Sequence, residues 1–160
     1  MPLAKPLPDT LLVLDTDIFT PLRNKQEYVM REVKSYFSRV KRLPALSSMT
    51  LFEAWWGFAS EVKKGEITAE SGNFYQRRID DLCQAHEVLP INAEVARIAA
   101  HIYAHLSQSD RNKHWRDLFI VATALAHGYG VASNNYKDFA LIAQHLPPSH
   151  STLCLEVWKP

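Results

Sequence analysis

Cysteine is scarce in this chain of 160 residues: Cys83 and Cys154 are the only two, far apart, without a CxxC partner and set in apolar stretches. That pattern argues against a disulfide framework and against a cysteine-based zinc site. Long apolar runs are missing as well. The longest, residues 118–126, has nine residues including one threonine, whereas a membrane-spanning helix needs about 20. Near the start, Pro2, Pro6 and Pro8 interrupt the apolar stretch that a secretion signal would need, so a cytoplasmic location is expected. No internal repeat, low-complexity tract or Gly/Ser/Pro-rich linker divides the sequence, which reads as one domain. An excess of charge is lacking too: 18 Lys and Arg face 17 Asp and Glu, for a net charge of +1. A protein that coats nucleic acid by bulk electrostatics is more basic than this.

What is present is the make-up of an ordinary globular protein, with 47% hydrophobic and 22% charged residues. At this length a folded domain buries roughly 68–70% of the surface its unfolded chain exposes, enough for a core without staples. Residues 11–14 form an apolar run ending on Asp15, short enough for a buried strand. From Lys25 the pattern turns helical, with Val29, Val33, Phe37 and Val40 on one stripe. Residues 44–48 read as a second strand, and Thr50 as the cap of a helix running to about Lys64. A further helix is expected over about 68–84, followed by a short strand near 87–90. Asn92 caps a helix whose apolar positions Val95, Ile98, Ala99, Ile102 and Leu106 keep helical spacing. Residues 107–113 read as a polar loop and 114–127 as a buried helix stopped by Gly128 and Gly130. A strand over 131–133, a short helix over 137–144 and a last strand over 152–158 complete the chain. Short strands alternating with helices predict an α/β fold, a mostly parallel sheet with helices on both faces. Functional groups then gather at the carboxyl ends of the strands, which points to Asp15, to residues 47–53 and to residues 133–138.

Each acid at these places has a local explanation. Asp15 or Asp17 caps the helix that follows the first strand. Thr50-Leu-Phe-Glu53 has the residue types and spacing of a capping box. Asp117, in the first turn of the buried helix, gains from the helix dipole. Asn135 and Asp138 suit a plain turn. Together, though, Asp15, Glu53, Asp117 and Asp138 all fall where a parallel α/β fold collects its chemistry. Carboxylates that converge repel one another and cannot all ionise without a cation between them. Oxygen donors without an obligatory cysteine or histidine suit a hard ion, Mg²⁺ or Mn²⁺. Such a site performs metal-assisted hydrolysis of phosphodiesters.

The chain resembles the PIN-domain ribonucleases, and most closely the VapC-type toxins of bacterial toxin–antitoxin pairs. The resemblance is carried by Leu12-Val-Leu-Asp-Thr-Asp-Ile18, Leu46-Ser-Ser-Met-Thr-Leu-Phe-Glu-Ala-Trp-Trp-Gly57, the helix around Ala93-Glu-Val-Ala-Arg-Ile-Ala-Ala-His-Ile-Tyr103, Arg116-Asp-Leu-Phe-Ile-Val-Ala-Thr-Ala-Leu125 and Val131-Ala-Ser-Asn-Asn-Tyr-Lys-Asp-Phe139. These pieces stand in the family's order over residues 11–139. No single piece is specific, but the ordered set is. The resemblance implies a three-layer α/β/α sandwich over residues 11–160, with 1–10 as an N-terminal extension. It implies Mg²⁺ or Mn²⁺, and hydrolysis of single-stranded RNA to leave a 5′-phosphate. Asp15, Glu53 and Asp117 match the family's three acidic positions. Ser133 matches its small hydroxyl residue, and Asn135 stands where members often carry Asp, with an acid three residues later at Asp138. On this reading Asp15 and Asp117 hold the metal, while Glu53 and Asp138 ligate it through water or orient the attacking water. Ser133 and Asn135 lie at the substrate side, and Arg116 or Lys113 receives the substrate phosphate. The implied partners are single-stranded RNA, a VapB-like antitoxin and a second copy of the chain, with no membrane.

Two other readings draw on the same residues. Asp15-x-Asp17 is similar to the opening motif of haloacid-dehalogenase phosphatases, although Phe19 stands where that family has Thr or Val and the Asp80-Asp81 pair falls in a helical stretch. A catalytically weak PIN-fold module that binds RNA or protein is the non-enzymatic alternative. His101 and His105 are one helical turn apart but lack the glutamate of a HExxH zinc motif. Finally, the charge is unevenly spread. Residues 1–42 carry 8 basic and 5 acidic groups, residues 43–110 carry 5 and 9, and residues 111–160 carry 5 and 3. The segments supplying Asp15 and Asp117 are the basic ones, so RNA binding is expected to be local to a small acidic centre.

Overall fold

Strand residues alternate between the two faces of a sheet, and in the computed structural model, which describes residues 2–160, both faces are apolar. Six strands form one parallel sheet in the order β1-β6-β5-β2-β3-β4. They are β1 (Leu3–Ala4), β2 (Leu12–Leu14), β3 (Ala45–Ser47), β4 (Val88–Leu89), β5 (Gly130–Ser133) and β6 (Leu153–Val157). Four helices, α1 (Thr16–Arg23), α2 (Glu27–Val40), α3 (Ser48–Lys63) and α4 (Ala69–Ala85), precede β4. Three more, α5 (Ala93–His105), α6 (Gln108–His127) and α7 (Tyr136–Ala143), follow it.

The alternation assigns the layers. Val13, Ala45, Leu89, Val131, Leu153 and Leu155 pack with α5, α6 and α7. Leu12, Leu14, Leu46 and Ala132 pack with Ile18 and Phe19 of α1, Val29 and Tyr36 of α2, Phe58 of α3 and Ile79 of α4. The result is the expected three-layer sandwich, with a sheet that is wholly parallel. Buried strands of this kind read as continuous apolar runs, which is why residues 11–14 stood out.

Three differences from the sequence reading bear on the site. Within the segment read as an extension, Leu3 and Ala4 pair with Leu153 and Cys154; Met1 lies outside the described residues. α3 starts at Ser48, and its N-cap is Ser47, whose Oγ accepts from the Thr50 N–H at 3.1 Å. α6 starts at Gln108, so the expected polar loop is helical. Ser107 caps it, accepting from the Asp110 N–H and donating to the Asp110 carboxylate, and solvation of the first two turns makes their polarity unremarkable in a helix. Cys83 and Cys154 are free thiols, and no helix among the described residues is long and apolar enough to cross a membrane.

Candidate active site

β2, β3 and β5 are adjacent in the sheet, so their carboxyl ends deliver Asp15, Ser47 and Ser133 to one rim. Asp15 is 4% exposed. It caps α1 through Oδ1, which accepts from the Thr16 N–H at 2.7 Å, while Oδ2 accepts from Ser133 Oγ at 2.9 Å. The cap and the rim position are therefore compatible, one oxygen serving each. The Ser133 hydroxyl also accepts from the Asn135 N–H at 2.9 Å and lies 3.4 Å from both Asp17 carboxylate oxygens. Burial, then the neighbouring Asp17 and Asp117, push the Asp15 carboxyl well above the usual range, and the Ser133 hydrogen bond opposes this only in part.

Glu53 does not close a capping box. Because Ser47 takes the cap, Glu53 lies a turn deeper than Thr50 would place it, and its side chain reaches across to α1. Thr16 Oγ1 donates to Glu53 Oε1 at 2.9 Å, and Arg116 Nε lies 3.5 Å from Oε2. Burial raises the proton affinity of Glu53; Thr16 and Arg116 lower it, and Asp117 raises it again.

Asp117 does not sit in a first turn either. With α6 beginning at Gln108 it lies mid-helix, too far from the N-terminus for the dipole to stabilise its charge. Burial holds its carboxyl above the usual range, and the His114 imidazole beside it offsets this, while Asp138 and Asp17 add to it. Asp117 thus feels Asp15, Glu53, Asp138 and Asp17. Asp138 stands in the first turn of α7, where the cap Asn135 accepts from its N–H and donates from Nδ2 to its Oδ2.

The sequence reading missed His114. Its ring is buried, and Nδ1 lies 3.4 Å from Asp117 Oδ2 and 3.7 Å from Asp138 Oδ2. Spacing of three residues on a helix is the available signal, hidden where the sequence pattern places the helix start at His114 itself. Thr16 was also passed over, although it orients both Asp15 and Glu53. Arg116 lines a cavity of about 290 Å³ with Thr16, Arg23, Glu53, Trp56 and Glu61. Lys113 is exposed and joins no hydrogen bond or ion pair of the centre among the described residues. His101 and His105 stack at 4.3 Å on the surface of α5. Asp80 and Asp81 are exposed on α4.

The residues present fit a divalent cation. The carboxyls of Asp15 at the cap of α1, Glu53 of α3 and Asp117 of α6, whose charged forms are disfavoured by burial and by neighbouring acids, converge with Asp138 of α7 beside them, and a dication between them relieves that repulsion. One subset, His114, Asp117 and Asp138, has its donor atoms all within 4.8 Å of one another.

Solved structures share this architecture. A chain of VapBC2 from Rickettsia felis, bound to a DNA fragment from the promoter, superposes with a TM-score of 0.65 at 19% identity, covering 93% of this chain and 99% of that one. A chain of DNA-bound VapBC from Salmonella typhimurium gives 0.64 at 21%, covering 94% and 99%. One from VapBC-5 of Mycobacterium tuberculosis, a member of the VapBC family of toxin–antitoxin systems, gives 0.57 at 21%, covering 94% and 99%. At these identities the likeness is one of fold. No curated protein matches the chain. A family model for the PIN domain matches residues 12–144, across the rim that gathers Asp15, Glu53, Asp117 and Asp138, and the chain belongs to the PIN-domain family.

Proposed function

We propose that the protein is a divalent-metal-dependent endoribonuclease that hydrolyses single-stranded RNA, and that it is the toxin of a toxin–antitoxin pair acting in the cytoplasm. The observation that carries the reading is the convergence of Asp15, Glu53 and Asp117 from three separate elements, each carboxyl held above its ordinary range by burial and neighbouring acids. A protein tolerates such a cluster where function requires it.

Asp15 and Asp117 would hold Mg²⁺ or Mn²⁺, with Glu53 and Asp138 beside it. A cation bound there supplies the positive charge that a phosphodiester under attack requires and acidifies water. The protein's own groups do the rest. Thr16 and Ser133 fix the Asp15 carboxylate between two donors, so it presents a constant face to the centre. Glu53, with its raised proton affinity, is suited to accept a proton from the attacking water. Water oxygen bonds to phosphorus as the bond to the 3′ oxygen breaks, leaving a 5′-phosphate and a 3′-hydroxyl. Arg116, half-exposed beside Glu53, offers its guanidinium to a phosphate oxygen, with Lys113 further out on the same helix. Ser133 and Asn135 line the substrate side of the rim.

Similarity to chains of VapBC structures supports a VapB-like antitoxin as partner; a second copy of the chain is the other partner of this reading. Phe52, Trp55 and Trp56, side by side on α3 and 49%, 37% and 55% exposed, supply an apolar surface of the kind that partners cover. The same surface favours the alternative of a catalytically weak RNA- or protein-binding module.

Purified protein is expected to cleave single-stranded RNA with Mg²⁺ or Mn²⁺ and to stop on chelation. Asp15→Asn and Asp117→Asn each lower the rate by on the order of 100-fold or more, as loss of several kcal/mol of charge stabilisation demands. Wild type and variants equally inert in both metals leave the binding-module reading in place of the nuclease.

A further inference from the structure

We propose that His114 is a direct ligand of the ion at this centre, forming with Asp117 and Asp138 a site that prefers Mn²⁺ to Mg²⁺. The inference deepens the proposed function, because it concerns the same ion, and it changes one detail: Asp138 touches the cation directly. Its support is separate from any cleavage.

The His114 side chain is only 3% exposed, and a buried imidazole requires polar partners. Those facing its Nδ1 are two carboxylate oxygens, at 3.4 and 3.7 Å. Both distances are long for an N–H···O hydrogen bond, which runs at about 2.7–3.2 Å. They are close to the separation of two donors on one ion: atoms each about 2.1–2.2 Å from a common centre lie about 3.0–3.6 Å apart between octahedral and tetrahedral angles. The three donor atoms all lie within 4.8 Å of one another, so side-chain movement of no more than about an ångström gathers them on one ion.

The three donors also stand on rigid supports. His114 and Asp117 are one turn apart on α6, which is buried over most of its second half. Asp138 belongs to the capped first turn of α7, and the Asn135 amide that donates to its Oδ2 holds the carboxylate in place. Donors oriented in this way by outer hydrogen bonds are the usual arrangement of a metal site. The donor set decides the ion. Mg²⁺ favours oxygen and keeps much of its water, whereas imidazole nitrogen suits transition-metal ions, with Mn²⁺ accepting carboxylates alongside it.

The test reads the ion itself. Electron spin-echo modulation of Mn²⁺ bound to the whole chain is expected to show one imidazole nitrogen, kept in His101→Ala and lost in His114→Gln. Calorimetric titration is expected to show Mn²⁺ affinity falling by about tenfold or more in His114→Gln while that for Mg²⁺ changes by less than about twofold. No Mn²⁺ binding, no nitrogen signal in the wild type, or an equal loss for both ions in His114→Gln overturns the proposal. The wild-type spectrum decides ligation even if the variant does not fold. Nitrogen-ligated Mn²⁺ in a protein that cuts no RNA overturns the nuclease reading and supports this one.

Discussion

Asp15, Glu53 and Asp117 share a property with a thermodynamic consequence: each binds a proton more readily in the folded chain than an ordinary carboxyl does. Below about pH 4, where unfolded Asp and Glu are also protonated, these groups impose no charge penalty. As pH rises through their elevated folded values, the native state must ionise them in a buried, crowded setting, and the stability they contributed is lost. A dication reverses that loss, so the gain in melting temperature on adding Mn²⁺ is expected to be larger at pH 7.5 than at pH 5. At a hundredfold excess over its dissociation constant the ion adds about 2.7 kcal/mol, or several degrees for a chain of this size. Asp15→Asn should melt at or above the wild-type temperature without metal at pH 7.5 and gain little from Mn²⁺. An undiminished metal-induced gain in that variant would show that Asp15 does not face the ion.

Among the elements, β5 is tightly constrained by the strands on either side of it. A Cβ on Gly130 would meet the Cys154 carbonyl oxygen at 2.9 Å and Leu12 Cδ2 at 3.0 Å, and a backbone oxygen in a paired strand cannot step aside. Gly130→Ala is expected to destabilise by about 1–3 kcal/mol in urea unfolding, and a change under 0.5 kcal/mol would mean that the strands separate more easily than this packing indicates. That contact was invisible in the sequence, where Gly130 read only as part of a helix stop. The order of strands and helices was legible, because apolar runs of three or four residues and amphipathic stretches differ in period. Helix starts were not: Ser47 and Thr50 are both good caps three residues apart, and only the packing of α3 chooses between them. The same ambiguity at Ser107 moved two turns of α6 into a supposed loop and hid His114. The acids were legible as a set through strand-end position and the family's order of motifs, but their hydrogen bonds to Thr16 and Ser133 depend on contacts between distant segments.

For the whole molecule, both sheet edges are strands of two residues, β1 and β4, short enough to discourage pairing with other chains. β1 adds its pairing to β6, a bond from the Leu153 N–H to the Pro2 carbonyl at 2.7 Å, and the Arg39 guanidinium donates to the Pro8 carbonyl nearby. Removing residues 1–10 is expected to cost roughly 2 kcal/mol from lost hydrogen bonds and apolar burial, seen as a lower melting temperature with Mn²⁺ affinity unchanged. A loss of affinity as large as that of Asp15→Asn would place this segment in the function of the centre and not only in the sheet.

The Ser133 carbonyl accepts from the Trp158 N–H at 3.0 Å, and β6 is the outer neighbour of the strand that ends on Ser133. Trp158 is itself buried, its indole N–H bonded to Glu156, which pairs with Arg39. Residues 153–158 therefore brace, from the far end of the sequence, the strand whose last residue clasps Asp15: loosening β6 would free one side of β5 and, with it, the backing of the Ser133 hydroxyl that steadies the acidic centre.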